Sequence, residues 1–385
     1  MAGFLFDIFT VRAMKSYDII IIGGGLAGLC CAVHLAQEGV AVCLLEKNTY
    51  PHHKVCGEYI SNEVVGYLKR LGVDPLKEGA VAIKELHWST ANGKDVCIDL
   101  PLGGFGMSRF ALDYLLFKKA SERAEVRQAT VIDVAFQNDT FTVTTQAGDS
   151  FEAGFVVGAF GKRSGLDKVL QRSFIEKRTS WMAVKGHYNY EYPEHRVGLH
   201  TFEGGYCGLS RTESGSVNAC YLATVPSFKK SGSLKHHQQQ VVSSNPILYR
   251  FFSEATPLFD APLTISQISF ARKPPVEQHI FMVGDSAGLI HPLCGNGMAM
   301  AIHGAKIFCE LFVHASKTGT IIRQQLEQEY ERKWADTFSS RLRTGSYIQQ
   351  LLLRPFWANA GYQVVRAVPG LLKKVIQQTH GAPLA

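Results

Sequence analysis

Charge is scarce in this sequence of 385 residues: Asp, Glu, Lys and Arg make up 19%, against roughly 25% in an average soluble chain. With hydrophobic residues at 46%, a disordered chain is excluded and there is material for a large core spread over two or three domains. No Cys-x-x-Cys pair occurs among the nine cysteines, and the count is odd. A disulfide framework or zinc ribbon is therefore not expected; free thiols in a reducing compartment are. No block of one charge sign stands out either. Forty Lys/Arg against 33 Asp/Glu give a net +7, too diffuse to point to nucleic acid. The first fifteen residues lack a basic n-region and Asp7 breaks their apolar run, so no signal peptide is expected. Met14 is an alternative start to Met1.

Two stretches, Ile19–Gln37 and Ser286–Ala305, contain no Asp, Glu, Lys or Arg and are long enough to span a bilayer. Each holds four glycines, and the second also holds Pro292, which suits ligand loops leading into helices better than lipid-facing spans. Tyr17–Ile22 reads as a strand buried on both faces. A helix to about Glu38 follows, closed by Gly39, and then a second buried strand, Ala41–Leu45. Phe110–Glu122 has helical spacing, and Phe155–Ala159 and Ile280–Val283 are further short apolar runs. From about 166 to 274 apolar and polar residues alternate, as expected of an antiparallel sheet with one covered face. No internal repeat is present.

The turn Gly23-x-Gly25-x-x-Gly28 follows a strand and opens a helix, and Glu46 ends the next strand. In that context the glycines bring backbone N–H groups and a helix N-terminus, here Leu26 and Ala27, against a pyrophosphate. Glu46, with Lys47 beside it, is placed to accept from a ribose hydroxyl and to repel a 2′-phosphate. A second constellation, Gly284-Asp285 through Pro292 and Gly295-Asn296-Gly297-Met298, follows the Ile280–Val283 strand. A strand-end carboxylate suits a ribityl or ribose hydroxyl, and the helix start suits the electron-rich edge of a flavin. FAD stretched between two such loops accounts for both; a nicotinamide dehydrogenase needs no second loop.

These motifs, with Pro51-x-x-Lys54-x-Cys56-Gly57 and Ser61, and Arg109 with Asp113, resemble flavoproteins of the p-hydroxybenzoate hydroxylase fold and, within them, the geranylgeranyl reductase-like branch. The resemblance covers about residues 17–310. It implies that Arg109 contacts FAD and that Lys54, Cys56 and Gly57 lie along the cofactor near the flavin. Two departures matter. Phe160-Gly161 stands where the group usually has Asp-Gly, which bears on NADPH or NADH as direct electron donor. Gly205-Tyr206-Cys207-Gly208-Leu209-Ser210 replaces the aromatic segment ending in Phe-Pro of geranylgeranyl reductases. The Trp-x-Trp-x-Ile-Pro motif of flavin halogenases is absent.

Cys56 is a candidate catalytic residue, as a redox or proton-delivering thiol, or else a small packing residue. His291, before Pro292, is a candidate acid or base, or else a hydrogen-bonded structural histidine. Glu58 is expected to be solvated. Adjacent His236 and His237 cannot share a helix face and have no spaced partner, so no metal is expected. Tyr188, Tyr190 and Tyr192 read as one face of a strand that lines the substrate cavity or packs. Residues 321–385 carry nine Lys/Arg and four Asp/Glu beside Leu351–Leu353, Phe356 and Trp357. That pattern fits peripheral contact with an anionic membrane surface, or a helix packed on the FAD domain.

The expected fold is α/β. A discontinuous FAD domain (17–75, 105–165, 275–318) receives an inserted antiparallel substrate domain (76–104, 166–274) and is followed by a helical segment (319–385). The expected function is an FAD-dependent oxidoreductase that reduces a carbon–carbon double bond of a lipophilic small-molecule substrate, isoprenoid- or polyketide-like. A monooxygenase acting on an aromatic or polyketide substrate is the alternative, and a non-catalytic flavin- or lipid-binding escort is a third. The expected location is cytoplasmic, peripheral at the inner membrane face.

Overall fold

The computed structural model describes residues 15–384 except 177–178 and 353–354; Met1, Met14 and Leu353 lie outside the described residues. Strand β1 (Lys15–Ile22) ends in four isoleucines, whose branched side chains suit a strand covered on both faces, and all four are buried. The glycine turn leads into α1 (Leu26–Gln37), which ends at Glu38 and Gly39, the latter at φ +85°. Next come β2 (Val42–Glu46), β3 (Tyr59–Ser61), the short helix α2 (Val65–Arg70) and the hairpin β4 (Val81–Ser89)–β5 (Asp95–Gly106). Ser108 starts α3 (Arg109–Ala120) by accepting from the N–H of Ala111 at 3.1 Å. After it run β6 (Glu125–Gln128), β7 (Val131–Gln137), β8 (Thr140–Thr145) and β9 (Ser150–Gly158).

One helical turn, α4 (Leu166–Val169), precedes β10 (Trp181–Asn189), β11 (Arg196–Phe202), β12 (Gly205–Arg211) and β13 (Val217–Thr224). Helices α5 (Val225–Ser231), α6 (Leu234–Gln240) and α7 (Pro246–Glu254) lead to β14 (Thr256–Pro257), β15 (Leu263–Ser266), β16 (Val276–Glu277) and β17 (Ile280–Met282). The chain finishes in α8 (Gly297–Lys317), α9 (Arg323–Leu352), α10 (Pro355–Ala367) and α11 (Pro369–Thr379).

Two sheets result. The first has the order β16-β17-β9-β1-β2-β6, with β8 and β7 attached beside β9. Its centre is parallel: Ile19 of β1 lies opposite Val42 of β2 and Phe155 of β9. Helices α1, α3 and α8 pack together on it, and Trp334 and Phe338 of α9 join the same core. The second sheet runs β14-β10-β13-β12-β11-β4-β5-β3, with β15 on β10. Both sheets lead toward the loops at 54–58 and 284–297, which is where the site forms.

The 166–274 stretch is an antiparallel sheet only in part. Strand β11 pairs in parallel with β4, because the hairpin from 81–106 enters this sheet from earlier in the chain. Residues 225–254 are helical instead of alternating strand. Asn245 caps α7 through Ile247 N–H, Pro246 takes the first turn, and Leu248 and Phe251 give it one buried face. Tyr188, Tyr190 and Tyr192 pack in the core between this sheet and α7. His236 and His237 lie at the start of α6: His237 is buried with its ring against Tyr221 and within 3.2 Å of Ser227 Oγ, while His236 is exposed. Among the described residues one helix, α8, is long and apolar enough to cross a membrane, but much of it is buried in the core between α1 and α9.

Two buried histidines give the fold a defined acid sensitivity. Burial pushes both His200 and His291 down to about 3, from an ordinary value of 6.5. The unfolded chain therefore binds protons below pH 6.5 that the folded chain refuses, and stability is lost as the pH falls from 6.5 toward 3. Each histidine accounts for about 2 kcal/mol by pH 5. Urea midpoints should fall between pH 7 and pH 5, and His200→Gln should flatten that slope; an unchanged slope would count against His200 as a contributor.

Candidate active site

Parallel strands deliver three loops to one edge of the first sheet: the glycine turn after β1, the Glu46 end of β2, and the Phe160 turn after β9. The glycine turn is close-packed where it must be. Gly23 sits at φ +106°, and a Cβ there would come within 2.4 Å of Ala159 O; one on Gly28 would meet Gly23 O at 2.0 Å. Glu46 accepts from Gly24 N–H at 2.7 Å and from Asn48 N–H at 2.9 Å, which fixes its carboxylate at the strand end. Lys47 is exposed beside it. The N-terminus of α1 has no side-chain cap and no acidic residue in its first turn, so its N–H groups keep their donor capacity and positive potential.

Arg109 and Lys54 stand next to that helix end. A Cβ on Gly25 would lie 3.7 Å from Arg109 Nη2. Arg109 grips Asp113 with two bonds of 2.6 and 2.7 Å, and Lys54 Nζ reaches Asp113 at 3.0 Å and Gly24 O at 3.3 Å. Burial pushes the Asp113 carboxyl up, but the Arg109 guanidinium and Lys54 ammonium outweigh it and hold Asp113 below the usual carboxylate range. Two cations balanced by one buried carboxylate, beside an uncapped helix start, make a receptor for a dianionic pyrophosphate.

The second constellation adjoins the first. Asp285 follows β17, and its main-chain oxygen accepts from Lys273 Nζ at 2.8 Å, while Arg172 holds Ser286 O at 2.9 Å. Burial lowers Lys273 to about 8. Ser286 Oγ in turn accepts from Gly161 N–H at 2.9 Å, tying the Phe160 turn to the Asp285 turn. Phe160 folds its ring back onto Gly158, where a Cβ would come within 2.9 Å of Phe160 Cε1. Pro292 is exposed, Gly295 takes a left-handed turn at φ +66°, and Gly297 and Met298 open α8, whose N-terminus again lacks a side-chain cap. Asn296 departs from the expected cofactor contact in its side chain: Nδ2 donates to Thr379 O at 2.7 Å, so its amide fastens the C-terminal helix to this loop.

Cys56 brings the two constellations together, with Sγ 3.3 Å from Met298 Sδ. A Cβ on Gly57 would meet nothing within 4 Å, and one on Gly297 only Ile290, so open space lies over both glycines. An uncapped helix end with cations at Gly25, and open backbone at Gly57 and Gly297, fit the pyrophosphate and ring of FAD. The residues that would hold it are Gly23–Gly28, Glu46, Lys54, Cys56, Gly57, Arg109, Asp285, Gly295, Gly297 and Met298.

The expectation that Glu58 is solvated is overturned: it is fully buried, at φ +55°. Its carboxylate bonds Lys185 Nζ, His187 Nε2 at 2.7 Å and Arg109 N–H at 2.8 Å. Burial pushes Glu58 up, and His187 and Lys185 more than offset that, leaving it below the ordinary range. The second sheet also takes up carbonyls of the same loop: Lys185 Nζ that of Lys54 at 3.0 Å, Asn218 Nδ2 that of Cys56 at 3.2 Å, and Ser210 Oγ that of Gly57 at 3.0 Å. Nothing in the spacing of Glu58, Lys185 and His187 reveals this set, since Glu58 lies more than 120 positions from both partners. His53, Glu58 and His187 form the one group of three possible metal ligands found among the described residues, but the Lys185 ammonium already sits on the carboxylate.

His291 is buried near Trp181, Tyr206 and Phe270, with ring centroids 5.6, 5.8 and 4.6 Å away. Its pKa near 3 means that at neutral pH the ring is uncharged and is no imidazolium acid. The surrounding cluster includes Ala183, Leu222, Ile268, Leu289 and Leu293, with Ile348 and Leu352 of α9 packed against it.

Two substitutions test this arrangement. Glu46→Ala should lower the FAD retained through purification, read from visible absorbance; undiminished flavin would remove Glu46 from the site. Lys185→Met leaves the Glu58 charge buried with one partner fewer and should cost about 3–5 kcal/mol in urea unfolding. Adding Glu58→Gln should recover much of that loss, and a double variant as unstable as the single would contradict the ion set.

The sequence matches the FAD binding domain family model over residues 16–333, well over half of the chain. Among curated proteins it is similar to the conditioned medium factor receptor 1 of Dictyostelium discoideum (25% identical, covering 84% of this chain and 68% of that protein). It is also similar to the digeranylgeranylglycerophospholipid reductase of Methanosarcina mazei (26% identical, 83% and 81%). Among solved structures, the flavin-dependent brominase Bmp2 superposes with a TM-score of 0.78 at 17% identity, over 95% and 93% of the two chains; this shows a shared fold. The chain belongs to the FAD-binding-domain family, with the p-hydroxybenzoate hydroxylase fold and digeranylgeranylglycerophospholipid reductases among its relatives at 23–26% identity, and is an FAD-dependent oxidoreductase.

Proposed function

We propose that the protein reduces a carbon–carbon double bond of a lipophilic substrate seated where the second sheet meets the 289–298 loop. The observation that carries this reading is the cluster around His291, built from Trp181, Tyr206, Phe270, Leu289 and Leu293, where burial is the sole cause of the lowered His291 pKa and no charged group contributes to it. Such a surface favours an apolar ligand and excludes water. Bound FAD in its reduced form supplies the hydride. The chain's residues orient the ligand, exclude solvent and supply one proton, for which Cys56, half-exposed beside Met298, is the protic group in place. The relative named a digeranylgeranylglycerophospholipid reductase supports the same direction.

The test is an anaerobic titration of the yellow protein with NADH and NADPH, followed by candidate lipophilic substrates. Bleaching and a product heavier by two hydrogens support reduction. A product heavier by one oxygen from O2 points to hydroxylation, and a flavin that no donor bleaches points to an escort. Cys56→Ala should slow product formation at least tenfold while flavin bleaching by the donor keeps its rate; equal slowing of both would remove Cys56 from the proton step.

We also infer that the C-terminal helices dock on an anionic lipid surface. Tyr347, Leu351, Phe356, Trp357, Val364, Val368 and Leu371 are all exposed, Phe356 by 74%. The opposite side of α10, with Tyr362 and Val365, packs on Trp88 and Ile98, so this helix is apolar on two sides. Residues 337–385 contain six Lys/Arg and no Asp or Glu. Insertion of the apolar face, with cations at the headgroups, satisfies both features. Co-sedimentation should occur with vesicles of phosphatidylcholine plus phosphatidylglycerol, weaken in high salt, and drop when Phe356 and Trp357 are changed to Ser. Equal recovery with pure phosphatidylcholine would refute the charge component.

A further inference from the structure

Three polar atoms in the cluster beneath the 289–298 loop lack a partner. Neither ring nitrogen of His291 and not the hydroxyl of Tyr206 makes a hydrogen bond, although each residue is more than nine-tenths buried. Leaving a buried polar atom unsatisfied is costly, and here three lie within one aromatic cluster, on rings whose centroids are 5.8 Å apart. His291 comes from the loop that leads into α8, Tyr206 from β12 and Trp181 from β10, so the set straddles the junction of the two sheets. A neutral imidazole offers one N–H and one lone pair, and a phenol offers an O–H. No hydrocarbon uses any of these.

We propose that His291 and Tyr206 form an anchor for a carbonyl oxygen conjugated to the double bond under reduction, so that the substrate is a lipophilic α,β-unsaturated ketone or aldehyde instead of an isolated alkene. The proposal rests on the reductase reading above and deepens it. Its chemistry balances. As hydride adds to the β-carbon, the π pair of the alkene shifts to form the new double bond to the carbonyl carbon, and the carbonyl π pair moves onto oxygen. The N–H of His291 and the O–H of Tyr206 donate to that oxygen, where negative charge develops. The α-carbon then takes a proton from Cys56 or water, and the saturated carbonyl product leaves. The two electrons come with the hydride, from FAD reduced by a nicotinamide donor. An isolated alkene has no oxygen to receive the charge and would leave all three polar atoms unpaired.

Carvone and limonene share a skeleton and differ by this carbonyl, which makes them the probes. In equilibrium dialysis against the FAD-loaded protein, carvone should bind at least tenfold more tightly than limonene, about the worth of one good buried hydrogen bond. His291→Phe and Tyr206→Phe keep ring volume and should each bring the two affinities within about threefold, with flavin content and circular dichroism confirming the fold. Equal affinities in the wild-type protein, or a preference that survives in both variants, would overturn the anchor. Carvone that binds preferentially but is not reduced by the dithionite-treated protein would sustain the anchor and sink the reductase reading. An alkene lacking oxygen that is reduced as fast as carvone would do the reverse.

Discussion

Glu58 is a carboxylate with no contact with solvent, and it is tolerable there because Lys185 and His187 reach it from β10 and the Arg109 N–H from the start of α3. Its burial ties the loop that links β2 to β3 against β10. Breaking the set would leave a bare charge in an apolar interior, so β10 is held against the 54–58 loop by the cost of separation. The loop itself has little regular structure, yet its carbonyls at Lys54, Cys56 and Gly57 all bond side chains of the second sheet. Cys56 is thereby positioned by the second sheet, through Asn218.

The same logic recurs on the far side of the site. Lys273 and Arg172 are buried cations that donate to the carbonyls of Asp285 and Ser286, and Arg172 also pairs with Asp167 and Glu277. Arg109 and Lys54 converge on Asp113 beneath the glycine turn. Each of the three loops thus rests on buried charge drawn from elsewhere in the chain. The helix ends of α1 and α8, by contrast, are left without capping side chains, and their donors are kept for a ligand.

The cluster around His291 and the exposed apolar face of the C-terminal helices share one architectural cause. Helix α9 sends Ile348 and Leu352 onto the cluster around His291 while its outer residues Tyr347 and Leu351 are exposed. The C-terminal tail is fastened to the loop itself through Asn296 and Thr379, and through Glu63, which Arg341 and Gly381 both contact. The helices that present the apolar outer face are therefore continuous with the wall of the inner cluster.

Much of this was written locally in the chain. The βαβ start, the glycine turn, Glu46 and the Gly284–Gly297 loop were legible because each is specified by neighbours within about twenty residues: strand patterning, turn glycines and helix starts. Arg109 and Cys56 were legible through resemblance of motif. What tertiary structure alone decided was which charges would be buried together. Glu58 beside Gly57 looks like a surface carboxylate until Lys185 and His187 arrive from a distant strand, and His291 looks like a ready acid until Trp181, Tyr206 and Phe270 close around it. Local sequence carries backbone preference, whereas the protonation and partnership of a side chain depend on the dielectric and the charges around it, and those are set only when remote segments pack.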